Sequence, residues 1–281
     1  MKLLHIGDRG AERPVIEVDG VHRDASSLVD RFTGEAFGDL DRLREAAADL
    51  PEIDISGQRI GSPVLRPQSV VCIGMNYAAH AAESGGTPPQ RPIIFFKTPN
   101  TIAGPDDPVT IPQGSVKTDW EVELGIVIGR AAWRLASPDD AAAHIAGYVL
   151  ANDLSERTWQ IEESGGQWSK GKCAPGYNPV GPWVATPDEF DPSDVALRSW
   201  VNGEPRQDSR TADMIFDVPT IVHHLSQYLR LEPGDLVLTG TPEGVALSGR
   251  FPYLSPGDVV EVEIDGLGRQ RQTYVSEGEQ A

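Results

Sequence analysis

The stretch KTDWEVELGIVIG, Lys117 to Gly129, carries two acids two residues apart. On an extended chain such residues share a face, so Glu121, Glu123 and Gly125 point one way while Val122, Leu124, Ile126 and Ile128 point the other. The apolar set reads as the core side of a half-buried strand. Carboxylates roughly 7 Å apart along a strand repel each other, and once partly buried they need a counter-charge or a raised pKa. A bound cation meets that need, and so does screening by water on an outer face. Asp153, at the end of the apolar run in GYVLANDLSERTWQ, offers a third carboxylate. Three together make an all-oxygen donor set, suited to Mg²⁺ or Mn²⁺ and poorly suited to zinc.

Other stretches hold complementary chemistry. In NYAAHAAESGG a short helix places His80 and Glu83 three apart on one face, ahead of a Gly-Gly pair able to act as a hinge. A carboxylate beside an imidazole orients it and raises its basicity, as a general base acting on water requires; the plain alternative is a surface ion pair. Arg157 and Gln160, just past Asp153, offer a charge and an amide for the far end of a substrate, or simply begin an exposed helix. The loop GGQWSKGKCAPGYNPVGPW holds Lys170 and Lys172, either able to support a carboxylate or a developing oxyanion if the loop is not merely solvated. In LTGTPEGVA the Thr241 hydroxyl and nearby amides could grip a carboxylate, or the turn could be only a tight connection.

The elements that must position these groups are mostly strands. Residues 1 to about 65 read as a small N-terminal α/β subdomain, with MKLLHIG and PVIEVDGVH pairing around Asp19-Gly20 and a helix in GDLDRLREAAADL. From 66 to 281 strands are predicted at VVCIG, IIFFK, DPVTIP, EVELGIVIG, YVLANDLS, GPWVAT, ALRSWVNG, DLVLTG and DVVEVEID. Helices are predicted at SPDDAAAHIAG and PTIVHHLSQYL. LEPGDLVLTG and LSPGDVVEVEI repeat a Pro-Gly-Asp turn before a strand. The fold class is therefore mainly β with some helix (α+β), a sandwich or roll and not a βαβ alternation.

Lys plus Arg number 24 against 42 Asp plus Glu, a net charge of −18, which argues against a nucleic-acid or anionic-membrane partner. No leader pattern and no apolar run near the roughly 18–20 residues of a membrane helix is visible, and Cys72 and Cys173 are too few for a disulfide framework. A soluble, cytoplasmic protein is expected.

CIGMNYAAHAAE, FFKTPN, DWEVELGIVIG, GYVLANDLSER, WSKGK with NPVGPW, and LTGTPEGV, in this order over roughly Val70 to Val275, resemble the blocks of the fumarylacetoacetate hydrolase family. The resemblance implies a mixed β-sandwich roll, a homodimer, and Mg²⁺ or Mn²⁺ held by Glu121, Glu123 and Asp153. It further implies a His80-Glu83 dyad on a lid helix and Lys172, rather than Lys170, as the catalytic lysine. Thr241, Arg157, Gln160 and Lys97 fall at substrate-contact positions. WSKGK and SRTADMIFDVPTIVHHLS are most similar to the branch of 2,4-diketo-3-deoxy-sugar-acid hydrolases, often labelled ureidoglycolate lyase, although CAPGYNP after Lys172 departs from it. The implied activity is hydrolysis of the C3–C4 bond of a 2,4-diketo acid, an acylpyruvate, to pyruvate and a second acid. Oxaloacetate decarboxylation, or isomerisation or dehydration of a 2-hydroxy-dienoate-type acid, would use the same site. A non-catalytic, metal-stabilised binding protein is the alternative of another class.

Overall fold

Val122–Ile128 is buried along its whole length on both faces, and this sets the architecture. Val122, Leu124, Ile126 and Ile128 enter one apolar cluster and Val127 another. The alternation predicted from sequence is present, but the strand is central and not half-buried. It pairs antiparallel with Ile145–Asn152 on one side and with Leu236–Leu238 on the other.

In this computed structural model, which describes residues 1–278, two sheets enclose the larger cluster. The larger sheet runs Val21–Asp24, Arg13–Val18, Lys2–Ile6, Val184–Ala185, Ile145–Asn152, Val122–Ile128, Leu236–Leu238, Val70–Gly74 and Ile93–Lys97, with Ile60–Gly61 also paired to Lys2–Ile6. The smaller runs Glu204–Arg210, Ala196–Val201, Val259–Ile264, Gly268–Ser276 and Val109–Ile111. Both are mixed, because Leu236–Leu238 runs parallel to Val70–Gly74 and Gly268–Ser276 parallel to Val109–Ile111. The fold is thus mainly β, as expected. Each aliphatic side chain withdrawn between the sheets contributes roughly 1.5–3 kcal/mol. The strands of residues 1–65 are hydrogen-bonded into the large sheet, and Phe32, Phe37 and Leu43 pack against its other face.

Several local expectations change. The Asp19-Gly20 turn closes a hairpin inside PVIEVDGVH, both residues at positive φ, while Lys2–Ile6 meets Arg13–Val18 through residues 7–12. The helix expected in SPDDAAAHIAG is a 3₁₀ segment, Pro138–His144, after which Ile145 begins a core strand. Glu204–Arg210 and Gly268–Ser276 were not predicted as strands, since their inward positions include Gln207, Gln270 and Gln272, polar groups that hydrogen-bond in the interior.

His5 ties residues 1–65 together. Its Nδ1 faces Ser62 O at 2.8 Å and its Nε2 accepts the Phe32 amide at 3.0 Å, an arrangement that requires the neutral ring. Burial pushes its pKa down from 6.5 to about 4, against the smaller opposing effect of the Ser62 bond. The unfolded chain therefore takes up a proton at higher pH than the folded one. The stability His5 contributes is complete above about pH 6.5 and is lost as pH falls to about 4, by about 3 kcal/mol. Urea midpoints between pH 7 and 4 are expected to fall for the native protein, and less steeply for His5→Gln.

Candidate functional site

Strand register builds the floor of the site. Pairing of Val122 with Asn152 brings the preceding Glu121 opposite the following Asp153, and Asp153 N donates to Glu121 O at 2.9 Å. Asn152 Oδ1 accepts the Glu121 amide at 3.0 Å, and Gly240 N donates to Glu123 Oε2 at 2.9 Å. One carboxylate oxygen from each of Glu121, Glu123 and Asp153 lies within 4.8 Å of the others, and all three residues are buried. The predicted carboxylates are brought together, and water does not screen them.

Buried cations surround them. Lys172 Nζ donates to Glu121 Oε2 and Asp153 Oδ2, both at 2.8 Å, with a longer 3.4 Å contact to Asp153 O. Lys97 Nζ donates to Asp153 Oδ1 at 2.6 Å and to Leu154 O at 3.0 Å. Arg157 Nη2 stands 2.7 Å from oxygens of both Asp119 and Glu121, and its Nη1 donates to Gln160 Oε1 at 2.8 Å. Burial alone would raise the Glu121 pKa, but Lys172 and Arg157 outweigh it and bring it down to about 2. For Glu123 burial acts in the same direction as its acidic neighbours Asp153 and Glu121, and its pKa is pushed well above the usual range. Burial works against the charge of Lys172 and of Arg157 too, yet their carboxylate partners raise both.

Three buried cations, Lys97, Lys172 and Arg157, thus face four buried carboxylates, Asp119, Glu121, Glu123 and Asp153. The excess falls on Glu123, which among the described residues has no lysine or arginine within ion-pairing distance. A hard divalent cation fits that deficit and the all-oxygen donors.

The helix Ala78–Glu83 forms the opposite wall. His80 Nδ1 lies 3.0 Å from Glu83 Oε1, and Gly244 N donates to both Glu83 oxygens at 3.0 and 3.1 Å. The carboxylate therefore receives the Nδ1 proton, leaving His80 Nε2 as the basic nitrogen. Gly244 has φ +104°, and a Cβ there would lie 2.2 Å from Arg206 O, so only glycine lets this amide reach Glu83. Asn76 fixes the chain entering the helix: its Nδ2 donates to Phe216 O and Thr239 O, and its Oδ1 accepts Phe216 N.

A cavity of about 410 Å³ lies between these walls, and His80, Glu83, Glu121, Glu123, Arg157, Gln160, Lys172 and Thr241 reach it. Thr241 is engaged there, its hydroxyl donating to Val122 O and accepting from Gln207 Nε2. Lys97 is not among the residues that line the cavity, and its ammonium is engaged by Asp153 Oδ1. Lys170 is exposed and donates to Glu163 O.

Sequence reasoning passed over Asp119, although it stands in the same stretch as Glu121. Its carboxylate accepts the amides of Trp120, Ala246 and Leu247 and the Arg157 Nε, thereby aiming Arg157 at Glu121. It also passed over Trp168, whose ring meets Phe95 edge-on at 5.7 Å and packs so close to Gly74 that a Cβ there would lie 2.4 Å from it.

Residues 69–275 match the family model described as fumarylacetoacetate (FAA) hydrolase C-terminal. The chain is 44% identical over 277 residues to a 2,4-didehydro-3-deoxy-L-rhamnonate hydrolase of a Sphingomonas species, covering 97% of this chain and 95% of that one. Among solved structures it resembles a 2-hydroxyhepta-2,4-diene-1,7-dioate isomerase from Mycobacterium marinum, at 34% identity and a TM-score of 0.76 over 99% and 100% of the two chains. It also resembles a maleylpyruvate hydrolase from Sphingobium sp. SYK-6 in complex with manganese(II) ion and pyruvate, at 26% identity and 0.81 over 98% and 99%.

Proposed function

The chain belongs to the fumarylacetoacetate hydrolase family, and from that premise we propose that it hydrolyses the C3–C4 bond of a 2,4-diketo acid to pyruvate and a second acid. The observation that carries the reading is a base and a carboxylate cluster sharing one cavity: His80 with Nε2 free, opposite Glu121, Glu123 and Lys172. Glu121, Glu123 and Asp153 would hold Mg²⁺ or Mn²⁺, which when bound supplies positive charge to the carboxylate and carbonyl oxygens of a 2-oxo acid.

His80 takes a proton from water as the water oxygen bonds to C4, while Glu83 holds the ring and balances the imidazolium. Lys172, charged and desolvated, supports the oxyanion at C4, exchanging its 3.4 Å contact with Asp153 O for the substrate oxygen. On collapse the C3–C4 electron pair goes to C3, which receives the proton from His80 and becomes the methyl group of pyruvate. The acyl half leaves as the second acid. Gln160, its oxygen held by Arg157, presents its NH₂ toward the substrate's far end. Closure of the Ala78–Glu83 helix excludes bulk water. The reading includes a small anionic keto-acid substrate and a cytoplasmic homodimer; no helix among the described residues is long and apolar enough to cross a membrane.

Protein stripped with EDTA is expected to release no pyruvate from acylpyruvates or 2,4-diketo-3-deoxy sugar acids, and to recover on addition of Mg²⁺ or Mn²⁺, with a second acid detected by mass. Release of pyruvate and CO₂ from oxaloacetate alone would replace hydrolysis by decarboxylation. A change of double-bond position with no pyruvate released would replace it by isomerisation.

A further inference from the structure

Beyond the carboxylate cluster, the remainder of the cavity is lined by groups of a different kind. Away from the cluster the lining is apolar: Ile161, Trp168 and Leu247 reach the cavity, joined by Met75, while the Phe95 ring, 5.2 Å from Lys172 Nζ, stands where this lining meets the charged floor. The polar groups of this lining are neutral. The Ser84 hydroxyl is buried with no partner among the described residues, and Gln160 has its oxygen committed to Arg157. Among the described side chains lining the cavity only Arg157 and Lys172 are permanent cations, and both are already paired with the buried acids. At the helix end of the cavity the charged group is Glu83, itself an acid.

A second carboxylate at the far end of a substrate would therefore lose its water and meet no counter-charge, a loss of several kcal/mol for an unpaired buried ion. The charge count points the same way. Asp119, Glu121, Glu123 and Asp153 outnumber Lys97, Lys172 and Arg157 by one, so a bound divalent cation would leave one positive charge for one substrate carboxylate, and Glu83, the other acid in the cavity, opposes a second.

Resting on the reading that this cavity takes a 2-oxo acid, we propose that the substrate is a monocarboxylate whose tail is uncharged. The tail lies along Phe95, Ile161, Trp168 and Leu247, with a hydroxyl or carbonyl meeting Ser84 and the Gln160 NH₂. Hydroxylated tails fit the two polar groups, and short alkyl or aryl tails fit the wall; dicarboxylates fit neither.

The test compares two acids of one chain length, 2-oxohexanoate and 2-oxohexanedioate, by calorimetric titration of the intact protein in Mn²⁺. Neither has a 4-oxo group, so binding is read without turnover. The monocarboxylate is expected to bind at least about 10-fold more tightly. Ile161→Arg, at a position 49% exposed and so tolerant of the change, is expected to narrow that ratio by raising the affinity of the dicarboxylate. Equal binding, or tighter binding of the dicarboxylate to the native protein, overturns the proposal even if acylpyruvates are hydrolysed. Absence of binding by both overturns it together with the 2-oxo-acid reading. Preference for 2-oxohexanoate without hydrolysis of any diketo acid supports it and sinks only the assigned reaction.

Discussion

Glu123→Gln is expected to lower metal-dependent turnover by about 10³-fold or more, with no recovery in excess Mg²⁺ or Mn²⁺. A divalent cation in such a site supplies several kcal/mol of transition-state stabilisation, and several kcal/mol is a thousandfold in rate. Glu123 is the carboxylate without a cationic partner, so its charge is the one an incoming cation neutralises. The same feature predicts an asymmetry in stability. Stripped of metal, the Glu123→Gln protein is expected to melt no lower than the native one, because the neutral amide relieves repulsion from Asp153 and Glu121. Glu121→Gln is expected to melt lower, because it strips Lys172 and Arg157 of a shared partner while they remain buried. Calorimetric metal titration with melting curves in EDTA checks both. A Glu123→Gln protein that still binds Mn²⁺ with native affinity would remove Glu123 from the ligand set.

The second large effect concerns proton transfer. His80→Ala is expected to reduce kcat by about 10²- to 10⁴-fold while leaving Mn²⁺ affinity within about threefold, since the imidazole is held by Glu83 and not by the carboxylate cluster. Single-turnover hydrolysis with titrated Mn²⁺ separates the two quantities. Partial restoration by added imidazole would identify the missing group as the base, and native rates in the variant would assign the base elsewhere.

The grouping of the acids and the pairing of His80 with Glu83 were legible in the sequence because they lie in short-range pattern. A two-residue period places Glu121 and Glu123 on one face, and a three-residue spacing on a helix places His80 beside Glu83; both are local consequences of backbone geometry. Burial of that face was not legible, because it depends on Ile145–Asn152 and Leu236–Leu238 arriving on either side. Asp119 was passed over for the same reason: its partners are the amides of Ala246 and Leu247, 127 and 128 residues away. Lys97 was placed among the substrate contacts by the resemblance of FFKTPN, and its bond to Asp153, 56 residues away in sequence, is a long-range contact that the sequence does not show. The Gln-rich strand Gly268–Ser276 has the period of a strand but the composition of a loop, and its glutamines bond to carbonyls from distant segments.

The charged floor and the apolar wall come from different kinds of structure. The floor stands at the ends of core strands, each member bound to another or to a backbone amide, so a change in one unbalances the rest. The wall includes Ile161, Trp168 and Leu247, which lie outside the sheets and whose side chains hold no part of the floor. On the proposed reading, a substitution in the floor disturbs the handling of the 2-oxo end, whereas one at the half-exposed Ile161 changes what the tail meets without touching the charged cluster. The scaffold thus separates two kinds of change, those that unbalance buried charge and those that only reshape an apolar wall.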